Sequence, residues 1–313
     1  MDENETIKHD RAFPLVMLPT WFMPPFSLWR WIYVAVTGTA INYLAVRWAL
    51  LKGHLTRQAA LAAFAIGLTL WMIEPLFFVV LFVFFASSSL LSKLNAQKKK
   101  TAQDKAAKGS TRDVHQVLAN GSIGLVMAII YAIALFAVLP SWISHAAIFS
   151  SIAAIAAPNA DTWATEVGMM SAKKPRWILD LHVQVETGTS GGVTLRGTTA
   201  AVAGALLVMI AGALIGMLSG LINLLVAKEW ILVGIAGAMG FLASLVDSVI
   251  GATVQGTFQC QTCGKETEKR IHCSLPTRLV RGKGMIDNDV VNFLASAFAG
   301  GSTFLITALI LAW

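Results

Sequence analysis

The chain of 313 residues is 56% hydrophobic and 13% charged, with a mean hydropathy of +0.67. Soluble proteins carry roughly 25% charged residues, so an ordinary soluble domain is excluded and an integral membrane protein is indicated. The formal net charge of +7 comes without a basic patch interleaved with aromatics, which argues against nucleic acid and for anionic membrane lipids and phosphorylated substrates as partners.

Residues 1–29 read as a proline-containing N-terminal segment. Asp2, Glu3, Glu5 and Asp10 acidify its start, and Pro14, Pro19, Pro24 and Pro25 interrupt any apolar run, so no cleaved signal is expected. Beyond it, apolar runs are long enough to cross about 30 Å of hydrocarbon as helices, and they lack the alternation of barrel strands. Spans are expected near 30–50, 57–72, 75–92, 114–139, 141–157, 198–226, 231–254 and 290–312. The expected fold is all-α, a polytopic transmembrane helix bundle of about eight spans forming a single domain over 30–313. Glu74-Pro75 and Pro140 mark tight turns between helix pairs, where proline suits a helix start.

Most of the 24 Lys and Arg fall in or beside 51–57, 93–113, 158–197 and 255–289. Alternating the spans puts all four regions on one side, which the positive-inside rule makes cytoplasmic. Both termini then lie outside, and cytoplasmic loops 93–113, 158–197 and 255–289 form the site. A prokaryotic cytoplasmic membrane is the expected location.

Polar residues enter the helices in that same leaflet. The fourth span begins with Asp113, Gln116 and Asn120, spaced to share one face. After the fifth span, Pro158 disfavours continued helix and Asn159 is expected to cap a new one. That segment carries Asp161, Thr162, Thr165 and Glu166. Asp161 and Glu166 stand about 140° apart on an ideal helix, so they do not simply share a face, and an unwound turn is one way for them to converge. Two carboxylates among hydroxyls suit Mg²⁺, which takes one or two carboxylates plus substrate phosphates; helix capping or surface solvation is the competing reading.

Lys173, Lys174 and Arg176 follow, then Thr187-Gly188-Thr189-Ser190-Gly191-Gly192 and Arg196-Gly197-Thr198. This stretch reads either as a phosphate cradle feeding a helix N-terminus near 198 or as a flexible connector. In the sixth and seventh spans, Gly212, Gly216, Gly220, Gly234 and Gly237 indicate close helix packing. The seventh span ends with Gly240, Ser244, Asp247, Gly251 and Gln255 on one face, and the last begins with Asp289, Asn292, Ser296 and Gly300. A carboxylate inside a span costs about 2.5–3.5 kcal/mol on insertion scales, so Asp247 is expected to face the bundle interior or a wet cavity. Polar helix-helix contact is the alternative for Asp247, Asn120 and Asn292. All three cysteines lie in Cys260-x2-Cys263-x8-His272-Cys273. Three thiolates and an imidazole match a closed, structural Zn²⁺ site, with free thiols as the alternative.

Taken in order, SSSLLSK at 87–93, RDVHQVLANG at 112–121, NADTWATEVG at 159–168, TGTSGGVTLRGT at 187–198, DSVIGATVQ at 247–255 and IDNDVVN at 286–292 resemble a known family of integral membrane proteins. It includes the plant phytyl-phosphate kinase of tocopherol synthesis and the animal transmembrane protein 19, and the resemblance covers roughly residues 40–312. It implies an enzyme that moves a phosphoryl group from a nucleoside triphosphate such as CTP to an isoprenyl monophosphate, for example phytyl or geranylgeranyl phosphate. The family is distantly similar to polyprenol kinases and CDP-lipid synthases, whose intramembrane carboxylate motif Asp247-Ser248 resembles. The proline-rich start and the cysteine cluster are features of only some members of that family, so neither bears on kinase activity.

On this reading Asp161, Glu166 and Asp247 are the candidate catalytic residues, and with Asp289 they hold Mg²⁺. Lys93, Arg112, Arg196 and the 187–198 loop contact the phosphates of nucleotide and acceptor, with Asp113, Gln116, Asn120 and Asn292 beside them. The isoprenyl tail lies between helices, and its anionic phosphate needs no strong general base. The alternatives are a CTP-dependent cytidylyltransferase on a lipid phosphate, and a transporter or flippase of a phosphorylated lipid. Transport calls for polar residues through both leaflets, where the outer half offers Glu74 and His145.

Overall fold

The computed structural model describes residues 28–93 and 111–312. The expected N-terminal segment falls outside the described residues except for its last two positions, as do Lys98, Lys99, Lys100, Lys105 and Lys108 of the second basic region.

The described residues contain eight helices: α1 (Leu28–Leu51), α2 (Arg57–Ile73), α3 (Pro75–Lys93), α4 (Val114–Phe136), α5 (Ser141–Gly168), α6 (Leu195–Leu218), α7 (Ala227–Thr253) and α8 (Asn288–Ala312). All but α2 are long and apolar enough to cross a membrane; α2 is a shorter apolar helix of 17 residues, about 25 Å at 1.5 Å per residue. Proline opens α3 at Pro75 and stands before α5 at Pro140, where a missing N–H costs nothing.

Helix α5 forms the centre, packing against α3, α4, α6, α7 and α8. Its sequence from Ala146 to Ala160 is almost wholly small or apolar and buried throughout, so neighbouring backbones come close. A Cβ on Gly124 of α4 would stand 2.7 Å from Ile155, on Gly212 of α6 2.8 Å from Ile152, and on Gly240 of α7 2.5 Å from Ala156. These glycines are packing surfaces, as small residues at helix interfaces in membranes usually are. Phe77, Phe149, Leu70 and Leu232 fill the core between the helices.

Three expectations change. Helix α5 does not stop at Pro158 but runs on to Gly168, because neighbours satisfy the polar groups there. Asn159 caps nothing: it is fully buried, donating to Gly204 O of α6 at 2.7 Å and accepting from Ser87 Oγ of α3 at 3.0 Å. Asp161 and Glu166 therefore sit on continuous helix, without an unwound turn. Helix α6 begins at Leu195, capped by Thr194, and ends at Leu218 rather than near 226. Gly220, with φ +68°, reverses the chain there while Leu221 N–H bonds Gly216 O and Gly220 N–H bonds Met217 O.

The two long connections contain small strands. Between α5 and α6, β1 (Arg176–Trp177), β2 (Asp180–Gln184) and β3 (Gly192–Val193) form a sheet of order β2-β1-β3. Between α7 and α8, β4 (Thr257–Gln259), β5 (Glu266–Thr267) and β8 (Arg278–Arg281) form a sheet of order β5-β4-β8. A hairpin of β6 (Ile271–His272) and β7 (Leu275–Pro276) lies beside it in the chain.

Candidate functional site

The C-terminal ends of α3, α5 and α7, the N-terminal ends of α4, α6 and α8, and both strand-bearing connections enclose a cavity of about 350 Å³. Its wall includes Arg112, Gln116 and Asn120; Asp161 and Glu166; Thr187, Gly188, Thr189, Ser190, Gly191 and Gly192; Asp247, Asp289 and Asn292. Helical spacing brings these groups together. The Gln116–Asn120, Ser244–Asp247–Gly251–Gln255 and Asp289–Asn292 faces all turn inward at the same end of the bundle.

Three other candidates do not line it. Asp113 is consumed in a capping box: its Oδ1 accepts from Gln116 N–H at 3.0 Å, and Gln116 Oε1 accepts from Asp113 N–H at 3.2 Å. Arg196 lies exposed on the first turn of α6. Lys93 Nζ donates to Lys52 O, in the turn after α1. Their positions at helix ends recruited them to caps and termini, which sequence alone does not separate from ligand binding.

The glycine-rich loop is seated on a helix. Gly191, at φ +82°, lies against α7 so closely that a Cβ would meet Ala252 Cβ at 2.5 Å. The close approach that glycine permits is used against a helix. Thr194 Oγ1 accepts from Gly197 N–H at 3.0 Å, so the α6 cap satisfies one N–H that an anion would otherwise use.

Arg112 is the cation of the wall. Its guanidinium donates to Ser88 Oγ at 2.6 Å and Ser89 Oγ at 3.1 Å, and its carbon lies 5.3 and 5.1 Å from the Phe84 and Phe85 ring centroids. Its main chain is clamped to the 54–56 turn, with Arg112 N–H donating to His54 O and Arg112 O accepting from Thr56 N–H. Desolvation pulls its pKa down to about 10, while the charge of Glu166 works in the opposite direction. It remains a cation at neutral pH.

Across the cavity, Asp161, Asp247 and Glu268 lie near enough to feel one another's charge. Glu268 is absent from the sequence-derived set. It sits in a charged connection with no periodicity to mark it, and Ser190 Oγ donates to its Oε1 at 2.7 Å. Asp247 is 8% exposed, and its Oδ2 is buried without a hydrogen-bond partner among the described residues, as are Asn120 Oδ1 and Gln255 Nε2. Native proteins satisfy the large majority of buried side-chain polar atoms. Three of them on one wall fit a polar ligand or a hard cation, and a buried carboxylate oxygen with a second acid nearby suits Mg²⁺. The acids do not form a ready-made cage: among the described residues, the one group of at least three ligand-type side chains within 4.8 Å of one another is Cys260, Cys263, His272 and Cys273.

A smaller pocket of about 60 Å³ adjoins the cavity through shared walls of Arg112, Gln116 and Asn120. Its remaining lining is apolar, from Leu55, Ala63, Ile66, Leu81, Phe84, Phe85, Val117 and Gly121.

A bundle of apolar helices with a polar cavity at one end defines a polytopic integral membrane protein. The chain belongs to the integral membrane protein family DUF92, which it matches over residues 40–300. It is 31% identical over 229 residues to Protein PGR of Arabidopsis thaliana, covering 69% of this chain and 76% of that protein. It is 32% identical over 224 residues to an uncharacterized membrane protein of Methanocaldococcus jannaschii, covering 72% and 73%. No solved structure matches. The family expected from the ordered motifs is thus the one found.

Proposed function

We propose that this protein transfers the γ-phosphoryl group of a nucleoside triphosphate, with CTP as the leading donor, to an isoprenyl monophosphate. The observation that carries this reading is the set Asp161, Asp247 and Glu268 lining one cavity with Arg112, where Asp247 Oδ2 is buried without a partner among the described residues. Acids gathered in low dielectric call for a cation, and a fixed arginine calls for an anion. Phosphoryl transfer needs that combination, because it depends on positioning and charge neutralisation more than on covalent chemistry from the protein.

Asp247 and Asp161 would hold Mg²⁺, with Glu268 beside them, and the ion would neutralise the donor's phosphate charge. Arg112 holds the acceptor phosphate, because it is the charged residue common to the polar cavity and the apolar pocket. The first carbons of the isoprenyl tail then enter the pocket between α2, α3 and α4. The acceptor's phosphate oxygen attacks the γ-phosphorus, the bond to the β-phosphate oxygen breaks, and the nucleoside diphosphate leaves. The acceptor oxygen is already anionic, so no base must take a proton.

The cavity end also carries the basic residues. The opposite turns at 137–140 and 219–226 contain neither Lys nor Arg, which supports a cytoplasmic site with both termini outside.

The test is incubation of purified protein with phytyl, geranylgeranyl and farnesyl monophosphates, each nucleoside triphosphate and Mg²⁺, followed by mass analysis. An isoprenyl diphosphate supports the kinase, and a CDP-linked lipid supports the cytidylyltransferase. Absence of both across the panel removes the enzyme reading.

Transport of a phosphorylated lipid is the second reading, favoured by one observation. Thr303 and Thr307 continue the Asn292–Ser296 face of α8 toward the other leaflet, fully buried, with hydroxyls that have no partner among the described residues. Movement of a labelled lipid phosphate across proteoliposomes without turnover would select it.

A further inference from the structure

We infer that Cys260, Cys263, His272 and Cys273 hold one structural Zn²⁺ ion, and that this ion braces the connection that brings Glu268 to the cavity. Zinc bonds of about 2.3 Å to sulfur and 2.0–2.1 Å to nitrogen give a tetrahedron with S···N edges near 3.5 Å. His272 Nδ1 lies 3.5 Å from Cys263 Sγ and 3.2 Å from Cys273 Sγ, and all four donor atoms fall within 4.8 Å of one another. The imidazole nitrogen stands between two sulfurs, an arrangement that serves a shared cation and not a disulfide, and the three cysteines are unbridged. Four protein ligands close the site, so the ion has no open position for chemistry.

The local backbone is built to gather these ligands. Cys260 and Cys263 occupy the turn between β4 and β5, where Gly264 N–H bonds Cys260 O and Cys260 N–H bonds Lys265 O, both at 2.9 Å. His272 ends β6, and the two-residue turn that follows is Cys273-Ser274, at φ +51° and +64°. Two-residue hairpin turns of this kind favour Asn-Gly or Gly-Gly, because side-chain-bearing residues resist left-handed φ. Tethering Cys273 and His272 to one ion explains why the turn holds without glycine.

Glu268 lies in the chain between the two ligand pairs. The far end of the connection is pinned separately: Gly256 N–H bonds Ile286 O and Lys283 N–H bonds Val254 O, both at 2.9 Å. The base is therefore held by main-chain pairing and the tip by the metal, with Glu268 between them. This inference does not depend on which reaction the cavity performs.

The protein, purified in detergent without chelator, should contain about one zinc per chain by elemental mass spectrometry, and Cys263→Ser should lose it. Because that variant could misfold, the wild-type chain is also exchanged into Co²⁺, which should give thiolate-to-metal charge transfer and the strong visible bands of tetrahedral cobalt. Stripping the metal should raise hydrogen exchange at least tenfold over 257–281, with α5 and α7 unchanged. A metal-free protein with no cobalt spectrum, iron in place of zinc, or a Cys263–Cys273 disulfide in peptide mass analysis would overturn the assignment. Unchanged exchange after verified metal loss would overturn the bracing role.

Discussion

Ser190 Oγ donates a 2.7 Å hydrogen bond to Glu268 Oε1, joining two loops whose contact residues are 78 positions apart in the chain. One loop leads into α6 and the other leaves α7, so the bond closes the cavity from above. Gly191 seats the first loop on α7, and the second carries the cysteine cluster.

A hydrogen bond to a carboxylate contributes about 1.5–3 kcal/mol, and each 1.4 kcal/mol is tenfold in rate. On the proposed reaction, Ser190→Ala should lower kcat/KM by about tenfold, and Glu268→Gln by more, since Glu268 also adds charge beside Asp161 and Asp247. If the serine acts through this bond, the double variant loses little beyond Glu268→Gln alone. Full additivity of the two losses would place Ser190 in another role.

Arg112 gives the pH prediction. Desolvation lowers its pKa to about 10, opposed by Glu166, so the cation dominates at every pH below that value. Affinity for the anionic acceptor should be flat near neutrality and fall as pH rises through about 10. Arg112→Lys keeps the charge but loses the fork that spans Ser88 and Ser89 and the face that stacks on Phe84 and Phe85. Its KM for the lipid phosphate should rise at least about tenfold with a smaller change in kcat. Initial rates against acceptor concentration, taken across the pH range for both proteins, test this; an unchanged KM would move the acceptor phosphate away from Arg112.

The helices and the end of the bundle that carries the cavity were legible because span length and helical spacing are local properties. Gln116, Asn120, Asp247, Asp289 and Asn292 were all marked by a polar face in an apolar helix. Three features were not legible. Pro158 reads as a break, yet Ser87 and Gly204, distant in the chain, satisfy Asn159 and let α5 continue. Asp113 reads as a polar wall residue because capping and ligand binding select the same residue types at helix starts. Glu268 carries no local mark, since only the folding of its connection turns it toward Ser190.

Gly191→Ala probes the loop without touching a charged group. The added Cβ would stand 2.5 Å from Ala252 Cβ at a φ of +82°, and left-handed backbone alone costs about 1–2 kcal/mol for a residue with a side chain. The helical bundle should keep its melting temperature within a few degrees, because the strain falls in a connection between helices and the loop can lift off α7 without unfolding them. Activity should drop at least about tenfold as Ser190 and Glu268 separate. Wild-type turnover in a folded Gly191→Ala protein would show that the seating of this loop is irrelevant to the reaction.

Asp247→Asn is the sharpest test of the cavity. Its carboxylate is 8% exposed and its Oδ2 has no hydrogen-bond partner among the described residues, while Asp161 and Glu268 add like charge nearby. Asparagine is neutral and nearly the same shape as a carboxyl group, so with no cation bound the variant should fold at least as stably as the wild type. On the proposed mechanism the same change removes a cation ligand, so transfer should fall on the order of 10²–10³-fold, the scale seen when one electrostatic stabiliser of a transition state is lost. The two effects separate the roles: equal or higher melting temperature with lost transfer identifies a site built for a ligand. A large stability loss would identify Asp247 as a structural group instead. Melting temperature with and without Mg²⁺, read beside turnover, decides between them, and only the wild type should gain stability from the ion.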